Sequence, residues 1–467
     1  MREWRRGDAM AERLNVVLAV LGCARADHVS CYGYARETTP FLDQVAREGV
    51  RFSRMMATAP SALPAHASLF TGLYAASHGA TEESPFLPPR HKTLAEHLKA
   101  AGYRTAAFST NPWVSPETGL GRGFDAFFTQ RYHNRVAARA ISWGRRASDR
   151  LLRRTDSGAR RTNHALRRWL GANDQPFFAF VHYNETHLPL HPPRPYDRMF
   201  LPRGVTPTRV RAINQDSGKH LAGQVDMGEE DFTILRALYD GELRYIDMRL
   251  REIADLLRVR GQWDRTLFVV TGGNGECLGE HGMIGHKWGL YDMLLRVPLV
   301  LRCPLHVPQG YVVDELAQTT DVLPTILHVL DLPVGDGTVH GRPLIEEGRA
   351  TPGLGFAIAE RFRPNLTRLQ QRFPELDLRP FDLRQKAIRT RREKFIWQSD
   401  EANQVYDVVA DPGEEGNLIE DQPERAEALR HQLFDWLASV EQIEAVEPAS
   451  ELEALMRQPL QALGDID

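Results

Sequence analysis

Cysteine is scarce in this chain: 467 residues hold only Cys23, Cys31, Cys277 and Cys303, without CxxC or Cys/His zinc spacing. So few thiols exclude a disulfide framework as the source of stability. Long apolar runs are missing too, since no stretch approaches the roughly 20 residues that cross a bilayer. There is no excess of one charge: 58 Lys and Arg stand against 61 Asp and Glu, for a net charge of -3. That balance gives no whole-chain case for a nucleic-acid or membrane-surface partner. Internal repeats and low-complexity tracts are absent. The opening MREWRRGDAMAERLNVVLAVLG places basic residues before an apolar run, as a secretory signal does, but Asp8 and Glu12 interrupt it and no small-residue cleavage site follows. Leu14 to Leu21 reads instead as a buried strand, and a reduced, cytoplasmic protein is expected.

What is present suits a large core. A hydrophobic content of 42% and a charged content of 25% are ordinary for a globular protein, and the length fits one large domain with a smaller partner. The apolar runs LNVVLAVL, YRTAAFS, PFFAFVHY, RTLFVVT and VPLVLRC read as strands, separated by helix-period segments such as TPFLDQVAREGV, KTLAEHLKAAG and DFTILRALYDGELRYIDMRLREIADLLRVRG. Continuous apolar strands alternating with helices predict an α/β fold, a large mostly parallel sheet flanked by helices, over residues 1–347. TTDVLPTILHVLDLP is expected to close it as a helix ending at Pro333. Residues 348–467 read as a small α+β domain: antiparallel strands in AIRTRREKFIWQ and NQVYDVV, a packed helix in PERAEALRHQLFDWLASVEQI, and an acidic tail from about Glu444.

Charge is uneven locally. Between Arg131 and Arg168 there are twelve arginines against Asp149 and Asp156. Such a run serves either as a solvated helical face or as a surface for an anion or protein partner.

In sheets of this kind ligands gather beyond the carboxyl ends of the strands. That points to Gly22 and Cys23 after the first strand, and to Gly272 through Glu276 after RTLFVVT. The sequence around them, NVVLAVLGCARADHVSCYGYARETTPFLDQVAREGVRFSRMMATAPSALPAHASLFTGLYAASHG, resembles the amino-terminal signature of the sulfatase family within the alkaline-phosphatase superfamily. VVTGGNGECLGEHGMIGHKWGLYDMLLRVPLVLRCP and VYDVVADPGEEGNL resemble two later segments of the same family, in the same order. The resemblance implies a large α/β domain with a small carboxyl-terminal one, and hydrolysis of sulfuric or related esters at a calcium or magnesium site.

It also implies where the chemistry should be. Active members carry metal-binding aspartates at the end of the first strand, where this chain has Gly22 and Cys23. They carry a cysteine, serine or threonine nucleophile two residues before a proline, which falls on Ala62 before Pro64. Their second metal-binding pair falls on Gly273 and Asn274. Glycine and alanine offer neither a ligand nor a nucleophile, and a thiol suits a hard dication poorly. The family's calcium or magnesium is therefore not expected here, nor is any other cofactor. Arg25, His66, His187, His286 and Lys287 are the residues expected to grip an oxyanion, of which His66, His187 and Lys287 align with family positions. The leading expectation is a catalytically degenerate sulfatase homologue, with a metal-free cationic pocket for a sulfate- or phosphate-type anion or a partner. Two alternatives stand beside it. One is a hydrolase or transferase with rebuilt chemistry, for which Cys23, Ser61 and His66 are candidates; the other is a structural partner of an active homologue.

Overall fold

The computed structural model describes residues 13–129, 156–171, 173–335, 339–351 and 353–440. The strands of its large sheet are β1 (Asn15–Leu21), β2 (Val50–Met56), β3 (Arg104–Ser109), β4 (Ala126–Thr129), β5 (Phe177–Tyr183), β6 (Thr266–Thr271), β7 (Leu299–Arg302) and β8 (Tyr311–Gln318). They lie in the order β8-β2-β7-β6-β1-β5-β3-β4, and a short strand at Arg296–Val297 pairs with β2 as the ninth. The central strands β6, β1, β5 and β3 are mutually parallel.

Every residue of β1, β5 and β6 is buried. Val16, Leu18 and Val20 of β1 enter one apolar cluster, and Val17, Ala19 and Leu21 enter the other. Side chains alternate across a strand, so a strand covered on both faces is expected to be apolar on both, and these are, apart from Asn15, His182, Thr266 and Thr271 near their ends. The covering helices include α1 (Pro40–Arg47), α2 (Ala62–Thr71), α3 (Leu94–Ala100), α4 (Ala159–Leu170), α5 (Glu229–Val259) and α6 (Val322–Val329).

The five expected strands are all present, but one runs against expectation. β7 is antiparallel to both β6 and β2. The chain leaves the carboxyl end of β6, builds a long loop there and returns at the same end without crossing over, so its strand has to run backwards. β2 escaped sequence reading because Arg51 and Arg54 interrupt its apolar pattern. Helix α6 ends at Val329, four residues short of Pro333; the turn closes through Asp331 in a left-handed conformation (φ 53°).

A second, four-stranded antiparallel sheet is formed by β9 (Phe356–Arg361), β10 (Gln385–Thr390), β11 (Glu393–Gln398) and β12 (Gln404–Asp407). Helix α7 (Pro423–Ser439) packs on it through Leu429, Leu433 and Leu437, against Ile358, Ile388, Phe395 and Val405. This small domain is tied to the large one by buried charge. The Lys394 ammonium, fully enclosed, lies 2.9 Å from Asp292 Oδ1 and 2.7 Å from Glu414 Oε1. Arg389 also reaches Asp292, at 3.1 Å.

Residues 131–155 of the arginine-rich segment and the acidic tail lie outside the described residues. The rest of that segment forms α4, which buries Thr162, Leu166 and Leu170 and exposes Arg160, Arg161, Arg167 and Arg168. This portion is a solvated helical face. Among the described residues no helix is long and apolar enough to cross a membrane.

Candidate active site

The order β6-β1-β5 sets three parallel strand ends side by side, and the segments leaving them converge. Gly22 and Cys23 leave β1, Gly273 and Asn274 leave β6, and His187 follows β5. Across from them stands the first turn of α2. Together they wall a cleft of about 1070 Å³, lined by Gly22, Cys23, Ser61, Ala62, His66, His187, Asn274, His286 and Lys287 among others. Nearly all the residues singled out from sequence thus meet in one place.

Arg25 does not join them. Its guanidinium clasps Asp27 through Nε (3.0 Å) and Nη2 (2.7 Å), while Nη1 reaches Glu280 (2.7 Å) and the Glu276 carbonyl (3.0 Å). Arg25 is absent from the cleft wall. The expectation that it grips an anion is corrected: neighbouring carboxylates hold its charge within the loop that follows β1.

The two glycines are closed to side chains. Gly22 has φ +35°, and a Cβ there would lie 2.7 Å from the Tyr183 carbonyl oxygen. A Cβ on Gly273 would lie 2.8 Å from the His66 ring and 3.2 Å from the Gly22 carbonyl oxygen. The Gly273 N–H donates to that same carbonyl at 2.9 Å, which locks the two strand ends together. Asn274 turns its amide nitrogen to the Gly275 carbonyl (2.8 Å) and towards Cys23 Sγ (3.5 Å). These residues do not fit a calcium or magnesium ion, which collects several oxygens including carboxylates.

His66 belongs to α2 and contacts the Ala62 carbonyl through Nδ1 at 2.6 Å, one helical turn back. Burial pushes its imidazole down to about 4, so it is neutral at physiological pH. His66 Nε2 and both ring nitrogens of His182 are buried without a hydrogen-bond partner among the described residues. The two rings stand 5.0 Å apart at the floor of the cleft. Ser61 precedes α2 and donates its hydroxyl to Glu82 rather than capping the helix. Burial raises the Glu82 carboxyl above its ordinary range.

Sequence reading passed over several residues here. Arg361, Arg363 and Arg368 reach the cleft from the small domain, and no signal in the large domain announces them. Burial lowers Arg361 to about 10, still cationic at neutral pH, and it donates to the Lys287 carbonyl through Nε at 2.6 Å. His182 was hidden as the sixth residue of an apolar strand, and Glu276 as the last of a loop read for its glycines. A two-stranded hairpin explains Glu276: Cys277 pairs with Gly285, so the residues just outside, Glu276 and His286, face each other. His286 Nδ1 lies 3.1 Å from Glu276 Oε1.

The sulfatase family model matches residues 14–332, about two thirds of the sequence and all of the large domain's sheet. The chain belongs to the sulfatase family. It is similar to the multifunctional alkaline phosphatase superfamily protein PehA of Trinickia caryophylli, at 29% identity over 68% of this chain and 74% of that protein. An arylsulfatase of Clostridium perfringens is 25% identical over 92% of this chain and 95% of its own length. Among solved structures, the phosphonate monoester hydrolase of Agrobacterium radiobacter superposes with a TM-score of 0.75 at 26% identity, covering 91% of this sulfatase-family chain and 96% of its own. The fold is therefore that of sulfatase-type hydrolases, small carboxyl-terminal sheet included.

Proposed function

We propose that this sulfatase-family protein binds a sulfate- or phosphate-type anion or its ester in the cleft, without the formylglycine-type nucleophile and hard-cation site of its active relatives. One observation carries the reading: at both glycines the space a ligating carboxylate needs is already filled, at Gly273 by the His66 ring and at Gly22 by the Tyr183 carbonyl. Ala62 at the head of α2 has no heteroatom to attack with.

Anion binding is supported by charge. Lys287, Arg361, Arg363 and Arg368 line the cleft against Glu82 and Glu83, and Glu83 is already paired with Arg384 at 2.6 Å. The neutral His182 ring, whose one N–H has no partner among the described residues, and the positive end of the α2 dipole add to the same wall. Titration calorimetry with inorganic sulfate and phosphate is the test, alongside turnover assays with an aryl sulfate and an aryl phosphonate monoester. Saturable binding without turnover is expected. Sustained turnover that stops on addition of a chelator selective for calcium and magnesium overturns the reading.

A second reading rests on Ser61. Its hydroxyl donates to Glu82, a part-buried carboxyl beside the blank nucleophile position, and this is the arrangement of a nucleophile with its general base. If esters are turned over, a covalent sulfuryl or phosphoryl adduct on Ser61, found by mass spectrometry and lost in Ser61→Ala, would identify this route. Localisation to the cytoplasm, and a partner for the arginine-rich segment, stay as proposals of the sequence alone.

A further inference from the structure

We propose that Cys23, Glu276 and His286 form a site for a borderline-soft divalent cation of the zinc type on the wall of the cleft. The inference goes beyond the anion-binding reading, because the ion would be held whether or not an anion enters. It does not restore the family's calcium or magnesium site: Cys23 stands at a position where the resemblance places a metal-binding aspartate, but Glu276 and His286 lie outside those positions.

The geometry points there. One ligand atom from each of the three residues lies within 4.8 Å of the other two, and all three residues are buried. Cys23 Sγ is 4.0 Å from His286 Nδ1, and Nδ1 is 3.1 Å from Glu276 Oε1. Ligands of a tetrahedral zinc, with metal bonds of about 2.0–2.3 Å, stand roughly 3.3–3.6 Å from one another. The His–Glu pair is already near that spacing, and Cys23 Sγ, 4.0 Å from His286 Nδ1 and within 4.8 Å of the Glu276 carboxylate, has to close by up to about 1 Å to join them.

The supporting contacts suit the ligand roles. Asn274 aims its amide N–H at the Cys23 sulfur (3.5 Å), a donor that favours thiolate over thiol. Leu188 N–H addresses Glu276 Oε2 (3.4 Å), which leaves Oε1 turned to the site. The hairpin that pairs Cys277 with Gly285 fixes Glu276 opposite His286 before any ion arrives. A thiolate and a carboxylate together neutralise a dication, so the loaded site suits burial. One sulfur, one imidazole and one carboxylate select zinc-like ions over calcium or magnesium. Cys23 and His286 line the cleft, so three protein ligands leave a fourth position facing it, the arrangement of an open zinc site. An oxygen of the cleft's anion is the class of ligand that would fill it.

The test uses the full chain, stripped with chelator and titrated with Co²⁺ and Zn²⁺. One equivalent of Co²⁺ is expected, with a near-ultraviolet thiolate-to-cobalt charge-transfer band, and Zn²⁺ should displace it. Cys23→Ser should abolish the band and weaken binding at least tenfold, and His286→Gln should weaken it as much. Cobalt bound without the band, Cys23→Ser binding within twofold of the unmodified chain, or stoichiometric preference for Ca²⁺ or Mg²⁺ overturns the proposal. If the variants do not fold, alkylation of Cys23 in the unmodified chain is read by peptide mass spectrometry. One equivalent of Zn²⁺ should slow it at least tenfold, and an unchanged rate overturns the site. Sulfate titrations of the stripped and loaded protein separate the two readings: metal uptake without sulfate binding refutes the anion reading alone, and the reverse refutes this one.

Discussion

Restoring carboxylates at the two glycines should damage the protein rather than revive a hard-cation site. In Gly22→Asp the new Cβ meets a carbonyl oxygen at 2.7 Å, and that oxygen belongs to the end of β5, where it cannot swing away. Overpacking of this kind costs about 1–3 kcal/mol. The φ of +35° adds strain of about 1 kcal/mol for an L residue, though aspartate tolerates it better than most. Gly273→Asp meets the His66 ring at 2.8 Å, and that ring is hemmed in by His182 and Phe180. A similar cost of about 1–3 kcal/mol follows. The two positions touch through the Gly22 carbonyl, so the double variant need not equal the sum.

Urea denaturation measures this, with Gly33→Asp as control. Gly33 has φ +97° but open space around its would-be Cβ, so it reports backbone strain alone. The expected order of destabilisation is Gly22→Asp above Gly33→Asp, by about 1–3 kcal/mol. Millimolar Ca²⁺ should not rescue either Gly22→Asp or the double variant. A double variant within about 0.5 kcal/mol of the unmodified chain would refute the argument that the space is filled, as would a stoichiometric, stabilising Ca²⁺ ion bound by that variant.

Other outcomes are open to measurement. Lys287→Met should weaken sulfate binding about tenfold or more, the scale of one charge-assisted hydrogen bond, with a shallower salt dependence by calorimetry. His66 titrates near 4 in the folded chain against 6.5 ordinarily, so only the unfolded chain gains its proton as pH falls through that window. It therefore withdraws about 3 kcal/mol between pH 6.5 and 4, and His66→Gln should flatten the acid limb of the stability profile. Glu185, fully buried, is raised to about 8, so its proton stabilises the folded state below pH 4.5 and that contribution is lost as pH rises towards 8. Glu185→Gln, which keeps the acceptor for the Ala159 N–H, should gain on the unmodified chain over the same window, by roughly 5 kcal/mol at most. Lys394→Met leaves Asp292 and Glu414 buried with Arg389 as remaining cation, and should cost about 3–5 kcal/mol in chemical denaturation.

The parallel centre of the sheet was legible because strands covered on both faces need near-continuous apolar runs, and β1, β5 and β6 have them. Strands at its flanks were not, because β2 carries two arginines and β8 exposes Tyr311 and Val312. Convergence of Gly22, Ala62, His66, Gly273 and Lys287 followed from the family resemblance together with the rule about strand ends. What sequence could not supply was pairing. Arg25 read as a cation for the cleft, yet Asp27, two residues on, and Glu280, from a distant turn, capture it. Glu276 read as loop, yet a two-residue ladder turns it towards His286. Both outcomes depend on contacts between residues more than 250 positions apart or on a hairpin too short to leave a pattern.

Those pairings bear on how sulfatase-family strand ends are held together where glycines stand at the positions of ligating carboxylates. A cage of carboxylates emptied of its dication leaves like charges facing each other in a medium that screens them poorly, which the fold cannot sustain. Here the strand ends carry no carboxylate to repel. In their place the Gly22 carbonyl accepts the Gly273 N–H, and a neutral His66 ring packs where a side chain would stand. Glu276, a fully buried carboxylate beside these strand ends, is answered by His286 and by the Leu188 N–H. Charge is thus balanced locally on the strand-end side, while further cations, Arg368 and Arg363, the latter 3.9 Å from Asp382, come from the small domain across the cleft. An anion entering between the two domains would meet donors on both sides. The small domain is on this argument part of the binding site, and removing the Lys394 tether that docks it should weaken sulfate binding even where the large domain stays folded.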